Sequence, residues 1–419
     1  MEMKGNTLAI VLLVVGLVVG GGAGYFLAPS GGDGETVTVE VEPLAGKTIQ
    51  IGYISAQTSD LEQYVPLIQD IQTPDENAYA AKLGYDVSFE YLIDDATQQA
   101  AVHLEKVQGF KSMDISVFIG GLWSGQAQSA LSYVNDNDML MWSASSTSPL
   151  LALADDNLYR MCPTDLIQAP AIAAMLESRG IEYIIIIHRG DSWADGIYNI
   201  LAPDFESRGG TVLERMRYAG ESTEFANYLQ TAEDIMSDAV EQYGAEKCAI
   251  EIISFNEAVT MLTQAEDYPV IYSLPWFGSD GTAMTAQITD DSPEQAMHVG
   301  IYSTVAAPAE SEKFLALSER YEALTDLPFS YYRSCTYDIG SILVGTMLEA
   351  QSTDALDILP LQEDATYNLF GSSGWCRINA DGDRYGSNYQ IWSYNPESYV
   401  VGQYDMVTGG VTWYIDWLW

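Results

Sequence analysis

The sequence predicts an α/β protein whose two lobes face each other across a cleft. From Thr48 onward, short apolar runs alternate with segments of helical periodicity, which is typical of parallel sheets covered by helices on both faces. A second series of such units begins after Pro163, and one doubly wound sheet seldom holds so many strands. The 419 residues also exceed what a single hydrophobic core normally supports. Two lobes explain these observations better than one.

The N-terminal residues 1–28 predict a membrane anchor or a signal segment. Residues 6–27 carry no charge and just reach the roughly 20 residues that a helix needs to span a bilayer. Lys4 precedes the run and acidic residues follow it, which favours a body outside the cytoplasm. The run is longer than a typical signal core, so an uncleaved anchor is favoured, while three consecutive glycines keep cleavage open. Residues 29–46 then form a linker.

In the first lobe, apolar runs predict four strands with helices between them. One predicted helix ends at Gly84. Residues 95–98 resemble a capping box with Asp95 at the N-cap, which predicts that the next helix starts there. The strands are predicted at residues 49–54, 87–93, 115–119 and 139–142.

In the second lobe, the same reasoning predicts a further series of strands. Four consecutive isoleucines are typical of a strand buried on both faces. The predicted strands cover residues 184–187, 211–218, 249–254 and 270–272.

Two loops rich in small residues and hydroxyls follow predicted strands of the first lobe. The first cleft loop, residues 118–125, reads FIGGLWSG, and the second cleft loop, residues 142–149, reads WSASSTSP. Ligands of open α/β sheets bind beyond the carboxyl ends of the strands, where a helix N-terminus favours an anion. The two loops therefore predict one anion cradle. No catalytic base stands near them, so a binding protein is favoured over an enzyme.

The charge of the chain excludes one class of partner. With 17 Lys and Arg against 59 Asp and Glu, the formal net charge is -42. Such a field repels a phosphate backbone, so nucleic acid is not expected as a partner. Solubility in a salty medium is the favoured explanation of the acidity, and a cation-binding role is the alternative.

Four cysteines are spaced too far apart for a CxxC motif, so neither a zinc site nor a thioredoxin motif is expected. Outside the cell they could form no disulfide, one or two, and isolated buried thiols are an equal alternative. They are Cys162, Cys248, Cys335 and Cys376.

Eight segments, in one order along residues 47–394, resemble a known family. The family is the extracellular solute-binding proteins of the type I periplasmic-binding fold, in the branched-chain amino acid (Leu/Ile/Val) group that serves ABC transporters. The segments read IQIGYISAQTSD, LIDDATQQAAVHLEKV, FIGGLWSGQAQSA, MLMWSASSTSPLL, LYRMCPTDLIQAPAIA, IIHRGDSWADGIY, WFGSDGTA and INADGDRYGSNYQIWSY.

The resemblance implies two Rossmann-like lobes joined by three hinge crossings. The first lobe would comprise residues 48–164 and 303–370, and the second lobe residues 165–302 and 371–419.

The resemblance also implies a role for hydroxyl residues of the two cleft loops. Ser124, Ser145 and Thr147 would hold the carboxylate of the ligand, together with backbone N–H groups. The alternative is that these hydroxyls only cap helices.

An acidic residue of the second lobe would bind the ammonium group of the ligand. That position is Asp280, although many relatives carry Glu there, and its alternative is an ordinary Asp-Gly turn. Asp165 is a second candidate, and its alternative, the N-cap of the next helix, is compatible with binding.

Aromatic side chains would close over the ligand. Trp193 and Phe255 stand where tyrosines are usual, and Tyr64 would reach in from the first βα loop. An aromatic wall suits an apolar side chain or a cation, and ordinary core packing is the alternative for each residue.

No metal or cofactor is expected. Residues 379–383 resemble the start of a calcium loop, but Gln390 stands where an EF-hand needs Glu, so a hairpin turn is favoured. Structural roles are expected for His103, His188 and His298, which form no catalytic or metal-binding motif.

The leading functional hypothesis is a monomeric, membrane-anchored receptor outside the cell. It would capture an amino acid or similar small zwitterion and deliver it to the permease of an ABC importer. One alternative is a ligand-sensing ectodomain that works with a signalling partner. The other is a surface protein that reuses the fold without a ligand, for which the aromatic tail at residues 412–419 leaves room.

Overall fold

The computed structural model describes residues 24–27, 38–41, 43–395 and 397–415, and most of their strands form two separate large sheets. The strands are Gly24–Leu27 (β1), Thr38–Val41 (β2), Lys47–Ser55 (β3), Val87–Asp95 (β4), Val117–Ile119 (β5), Leu140–Ser143 (β6), Leu158–Arg160 (β7), Tyr183–Gly190 (β8), Thr211–Ala219 (β9), Cys248–Ile253 (β10), Trp276–Gly278 (β11), Tyr302–Ala306 (β12), Phe370–Gly371 (β13), Gly374–Trp375 (β14), Tyr389–Asn395 (β15), Glu397–Asp405 (β16) and Gly410–Trp413 (β17).

Helices connect most of the parallel strands. They are Leu61–Pro66 (α1), Thr73–Leu83 (α2), Ala100–Ser112 (α3), Ser124–Asp136 (α4), Asp165–Ser178 (α5), Ser192–Ser207 (α6), Ala226–Tyr243 (α7), Ala258–Ala265 (α8), Pro269–Tyr272 (α9), Ala286–Asp291 (α10), Pro293–Val299 (α11), Glu312–Thr325 (α12), Tyr331–Ala350 (α13), Ala355–Ile358 (α14) and Gln362–Tyr367 (α15). A π-helical turn, Leu67–Gln72, links α1 to α2.

The first sheet is parallel throughout, with strand order β4-β3-β5-β6-β7. The chain moves from β3 to β4 on one side and then to β5 on the other, so the strand order reverses at β3. A crevice opens at such a point beyond the carboxyl ends of the strands. Gly52 of β3 allows close packing there, because a Cβ atom at this position would stand 2.7 Å from the Cβ of Phe118.

The second sheet combines a parallel part with an antiparallel edge. Its order is β9-β8-β10-β11-β12-β15-β16-β17, and the last three strands run antiparallel to their neighbours. The four isoleucines of β8 are fully buried, because helices cover both faces of a parallel sheet. The second lobe thus has its own crevice, where the strand order reverses at β8.

The chain crosses between the two sheets three times. It passes from β7 to α5, which packs on the second sheet, and returns after β12 to α12 and α13. Helix α13 packs on the core of the first sheet. The chain then crosses again before β15. Strand β12 belongs to the second sheet, although the sequence assigned residues from 303 onward to the first lobe. The lobe limits drawn from the sequence otherwise remain predictions.

The predicted capping box at Asp95 is wrong. Asp95 ends β4, and its carboxylate accepts a hydrogen bond of 2.8 Å from the N–H of Thr97. Thr97 and Gln98 have φ angles of 49° and 65°, which a right-handed helix does not tolerate. Helix α3 therefore begins only at Ala100.

The strand predicted at residues 270–272 is also wrong, because these residues belong to α9. Pro269 takes the first helical position, for which its fixed φ is suited. The N–H groups of Val270 and Ile271 donate to the carboxylate of Glu233. The β-branched residues therefore lie in a helical turn, and the strand follows at β11.

The predicted anchor at residues 6–27 lies largely outside the described residues. Its last four residues form β1, which pairs antiparallel with β2 and is not helical. No helix in the described ranges is both long and apolar enough to cross a bilayer. Residues 416–419 of the aromatic tail are likewise not described, while Trp413 packs against the core of the second lobe.

All four cysteines are buried and free. Of the alternatives left open by the sequence, the structure therefore shows isolated buried thiols rather than disulfides.

A buried ion pair ties the first sheet to the third crossing. The guanidinium of Arg160, in β7, donates to Asp383 through two bonds of 2.5 and 2.7 Å, and both side chains are almost fully buried. Asp383 ends a tight turn in which Asn379 Oδ1 accepts the N–H groups of Asp381 and Asp383. An antiparallel bridge between Ile378 and Arg384 closes the turn, which confirms the hairpin turn expected from the sequence.

We expect the substitution Arg160→Met to destabilise the protein by about 3–5 kcal/mol, because it leaves the Asp383 carboxylate buried without its partner. Urea unfolding measures this change. A second substitution, Asp383→Leu in the same chain, should restore part of the loss. Arg320→Met is the matched control, since Arg320 forms an exposed pair with Asp75 and should cost less than about 1 kcal/mol. Equal losses in the two single variants would contradict the role of the buried pair.

Candidate functional site

The carboxyl ends of both sheets meet at one cavity of about 560 Å³. This volume lies within the range of about 300–1,000 Å³ that is usual for small-molecule sites. Both cleft loops and the segments that follow β3, β8, β10 and β11 contribute to its wall. Six of the residues predicted from the sequence line it: Tyr64, Ser124, Ser145, Trp193, Phe255 and Asp280.

The hydroxyls of the two cleft loops hold these loops together. Ser124 Oγ accepts hydrogen bonds from the Ser148 N–H at 3.2 Å and from the Ser146 hydroxyl at 3.1 Å. Ser145 Oγ donates to the carbonyl of Leu122 at 2.7 Å. Ser124 is the first residue of α4, and Trp123 occupies the N-cap position, so the capping alternative for Ser124 is wrong.

Thr147 and Asp165 lie behind the cavity wall. Both are buried, and the Thr147 hydroxyl lies close enough to the Asp165 carboxyl to lower its pKa. The Asp165 N–H donates to the Thr147 carbonyl at 2.9 Å, which joins the second cleft loop to the start of α5. Thr164, not Asp165, is the N-cap of that helix, so the capping alternative for Asp165 is wrong.

A buried histidine determines the shape of the first cleft loop. His103 Nε2 accepts the N–H of Gly121 at 2.7 Å. Burial lowers the pKa of His103 to about 3, so the ring is neutral and able to accept. Gly121 has a φ of 59°, and a Cβ there would stand 2.8 Å from the Cβ of Ala127. The structural role expected for His103 is therefore the positioning of this loop.

Asp280 projects into the cavity from the turn after β11. Its carboxylate accepts hydrogen bonds from Gln168 Nε2 at 3.0 Å and from the Tyr332 hydroxyl at 2.7 Å. Burial raises the pKa of Asp280 and of Asp165, and the charge of Asp280 raises the pKa of Asp165 further. Neither carboxylate forms an ion pair with any described lysine or arginine. The site thus presents two interacting acids that form no direct ion pair with a lysine or arginine of the described ranges.

Three stacked aromatic rings cross the cleft. Phe255 stacks on Trp193 with ring centroids 4.2 Å apart and on Trp123 with centroids 4.6 Å apart. Trp123 belongs to the first cleft loop, whereas Trp193 and Phe255 belong to the second lobe. The Asp191 carboxylate accepts the N–H of Trp193 at the start of α6, which positions that ring. Tyr64 lines another part of the cavity.

Sequence reasoning missed three residues that shape the site. Trp123 lies in the first cleft loop, and its position immediately before Ser124 could have indicated that it contributes to the site. Gln168 and Tyr332 contact Asp280 from helices α5 and α13, which lie 112 and 52 residues away along the chain. No short motif links them. No group of histidine, cysteine and acidic residues in the described part of the chain could hold a metal ion.

Comparison with known proteins identifies the family of this fold. A family model described as "Receptor family ligand binding region" matches residues 75–397. An uncharacterized protein of Methanocaldococcus jannaschii is 24% identical over 412 residues, which cover 93% of this chain and 97% of that relative. The matched model describes a ligand-binding region, which confirms the expectation of a binding protein rather than an enzyme.

Solved structures share the fold. A branched-chain amino acid transporter substrate-binding protein, LivJ of Streptococcus pneumoniae in complex with isoleucine, has a TM-score of 0.69 and 18% identity, and the match covers 84% of this chain and 99% of that chain. An ABC transporter substrate-binding protein of Desulfitobacterium hafniense in complex with leucine has a TM-score of 0.67, with the same identity and coverage. The resemblance seen in the sequence and the two-lobed α/β fold that it implied are confirmed.

We expect Phe255→Ala to open the cleft of the ligand-free protein, because it removes the middle ring of the stack. Only the pair of Trp123 and Phe255 spans the two lobes, and an aromatic pair contributes about 0.5–1.5 kcal/mol beyond simple burial, so the closed form should lose about that amount relative to the open form. Small-angle scattering should show a larger radius of gyration. Phe370→Ala is the control, since Phe370 packs on Trp375 and does not line the cavity. An unchanged radius in Phe255→Ala would show that the stack does not hold the lobes together.

Proposed function

We propose that this protein captures an amino acid or a related small zwitterion between its lobes for delivery to an ABC importer. The chain belongs to the family described as "Receptor family ligand binding region". The observation that carries this proposal is that two hydroxyl-rich loops share one cleft with Asp280, which lines the cavity, and Asp165, which lies just behind its wall. An α-amino acid carries one cationic group and one anionic group on adjacent atoms, and this arrangement complements both.

The carboxylate of the ligand would bind to the first lobe. Ser124 and Ser145 line the cavity at the N-terminus of the 13-residue helix α4, where the helix dipole favours negative charge. Thr147 adds a hydroxyl just behind the wall, beside the Asp165 carboxyl. A small rotation of the second cleft loop on ligand binding would bring that hydroxyl to the ligand.

The ammonium group would bind to Asp280, with Asp165 as the second acid. Two carboxylates buried together repel each other, and a cation between them removes that repulsion in a medium of low dielectric constant. Gln168 and Tyr332 hold the Asp280 carboxylate in place, so its orientation is set before the ligand arrives.

The aromatic residues would form the wall around the ligand. Trp193 and Phe255 close the second-lobe side, and Tyr64 faces them from the first lobe. Their rings supply apolar area and can also face a cation. Leucine and isoleucine, the ligands of the two structural neighbours, carry the same head group, which supports the proposal for the head-group site.

Delivery to a permease would use the closed form. Closure brings surfaces of both lobes together, so a membrane partner that contacts both could distinguish the loaded form from the open one. The apolar N-terminal segment before β1 would anchor the protein with its body outside the cell, and the binding unit would be a monomer with the lobe limits given above, except that β12 belongs to the second lobe.

A second candidate, a ligand-sensing ectodomain, is favoured by the description of the family model as a receptor region. Gene neighbourhood separates the two functions. Adjacent permease and ATPase genes support transport, and adjacent kinase genes support sensing.

Isothermal titration calorimetry on ligand-stripped protein tests the head-group assignment. Asp280→Ala should weaken the binding of amino acids by about 1.5–3 kcal/mol, or roughly 10- to 150-fold in Kd, because it removes a charge-assisted contact. Simple carboxylic acids, which have no ammonium group, should bind the variant and the parent protein alike. The assigned role fails if both ligand classes lose affinity equally, and the proposed function fails if no amino acid, amide or short-chain acid binds the parent protein.

Ligand binding should release protons. The pKa values of Asp165 and Asp280 are raised in the free protein, and an ammonium group favours the ionised acids, so their pKa values fall on binding. Affinity should therefore rise as pH increases above the ordinary Asp pKa of about 3.9, until the acids are ionised in the free protein. Calorimetry in two buffers of different ionisation enthalpy counts the protons. Asp280→Asn should reduce the release, and net proton uptake would contradict the assignment.

A further inference from the structure

We propose that the side chain of the ligand ends in a carboxamide or a carboxylate, and that Arg333 binds its oxygen. This inference rests on the proposed function, because it concerns a second part of the same cavity. The ligand would therefore have a polar side chain, whereas the two structural neighbours hold leucine or isoleucine.

Arg333 lines the cavity from the start of α13 and carries a buried positive charge. Its side chain is 8% exposed. Nη1 donates to the carbonyl of Pro328 at 2.7 Å, Nη2 donates to Gln63 Oε1, and Nε has no hydrogen-bond partner. Arg333 has neutral acceptors only, and forms no ion pair with an acidic residue in the described part of the chain.

A buried guanidinium without a directly bonded anion is costly, because it loses its hydration, and the charge of Asp60, whose pKa Arg333 lowers, compensates for it only at a distance. Arg160 shows how this protein neutralises such a group elsewhere, since Asp383 holds it through two hydrogen bonds. Asp60 lines the cavity near Arg333 but does not form an ion pair with it. The guanidinium is therefore positioned to donate to an oxygen in the cavity.

The surroundings of Arg333 are polar. Gln57, Asp60 and Gln63 line the same part of the wall, and Gln57 Nε2 donates to Asp60 Oδ1 at 2.9 Å. Burial raises the pKa of Asp60 to about 6, so at neutral pH this carboxyl is mostly ionised and accepts hydrogen bonds. A leucine or isoleucine side chain would remove water from these groups and give them no partner in return.

A carboxamide or carboxylate at the end of the ligand side chain would form hydrogen bonds with these polar groups. The ring of Tyr64, whose centroid lies 5.9 Å from the guanidinium carbon of Arg333, provides an apolar contact for the methylene groups before it. The terminal oxygen would accept from Arg333. In a carboxamide the NH₂ group would also donate to Asp60, whereas a carboxylate would require Asp60 to be protonated, so the two ligand classes differ in their pH dependence.

Calorimetry with glutamine, asparagine, glutamate, aspartate, leucine and isoleucine tests the proposal. At least one amide or acidic amino acid should bind 10-fold more tightly than leucine. Arg333→Met should lower the affinity for that ligand by 10-fold or more and change the affinity for leucine by less than 3-fold. Arg320→Met is the matched control, because Arg320 is exposed and does not line the cavity, and it should leave all affinities unchanged.

Two results would overturn the proposal: leucine or isoleucine binding more tightly than every amide and acid, or Arg333→Met weakening all ligands equally. Either would leave the head-group site intact, whereas failure of every amino acid to bind would refute the proposed function itself. If Arg333→Met does not fold, as judged by circular dichroism, Arg333→Lys and Gln63→Leu provide the test. Both variants should lower the affinity for the amide or acidic amino acid more than the affinity for leucine, and an equal loss of leucine affinity overturns the proposal.

Discussion

The ion pair between Arg160 and Asp383 is the constraint on which the geometry of the cleft depends. It joins the last strand of the first sheet to the third crossing. The remaining nitrogen of Arg160 donates to the carbonyls of Ser148 at 2.6 Å and Ser146 at 3.3 Å. Those carbonyls belong to the second cleft loop, so the same guanidinium positions the hinge and the loop that presents Ser145 and Thr147. Removal of one group would therefore disturb both the relation of the lobes and the shape of the site.

Buried charges are paired within the protein at the hinge but not in the cavity. At the hinge, the buried cation and anion neutralise each other within the protein. At the cavity, Asp280 and Asp165 form no ion pair with a described lysine or arginine, and Arg333 forms none with a described acidic residue. Buried charges are normally paired, so this contrast between the hinge and the cavity supports the proposal that a ligand supplies the missing partners.

Much of the fold could be predicted from the sequence because its strands are short apolar runs with distinct periodicity. The errors arose where local chemistry overrode the pattern. Asp95 stands three residues before Gln98, as in a capping box, yet positive φ angles at Thr97 and Gln98 prevent a helix there. Val270 and Ile271 favour a strand by composition, but Pro269 and the carboxylate of Glu233 hold them in a helix.

The site was predictable only where its residues stand in motifs. Ser124, Ser145 and Asp280 occur in loops directly after strands, and these line the cavity. Contacts such as that of Arg160 with Asp383 join residues 223 positions apart, and no local pattern encodes them. The same applies to Tyr332 and Arg333, which reach the cavity only because helix α13 packs on the first lobe after the second crossing.

The cleft is closed by contacts of the protein's own. The stack of Trp123, Phe255 and Trp193 spans both lobes, and the Ser148 hydroxyl donates to the Ser192 carbonyl at 2.7 Å across the same gap. Contacts that favour the closed form without a ligand reduce the conformational free energy that a ligand must supply, and so raise its apparent affinity. The same contacts slow the release of the ligand, because they must break before the cleft can open. If this protein delivers its ligand to an importer that binds the closed form, the free energy that opens the cleft has to come from a later change in that membrane partner, after which it contacts the open form better than the closed one.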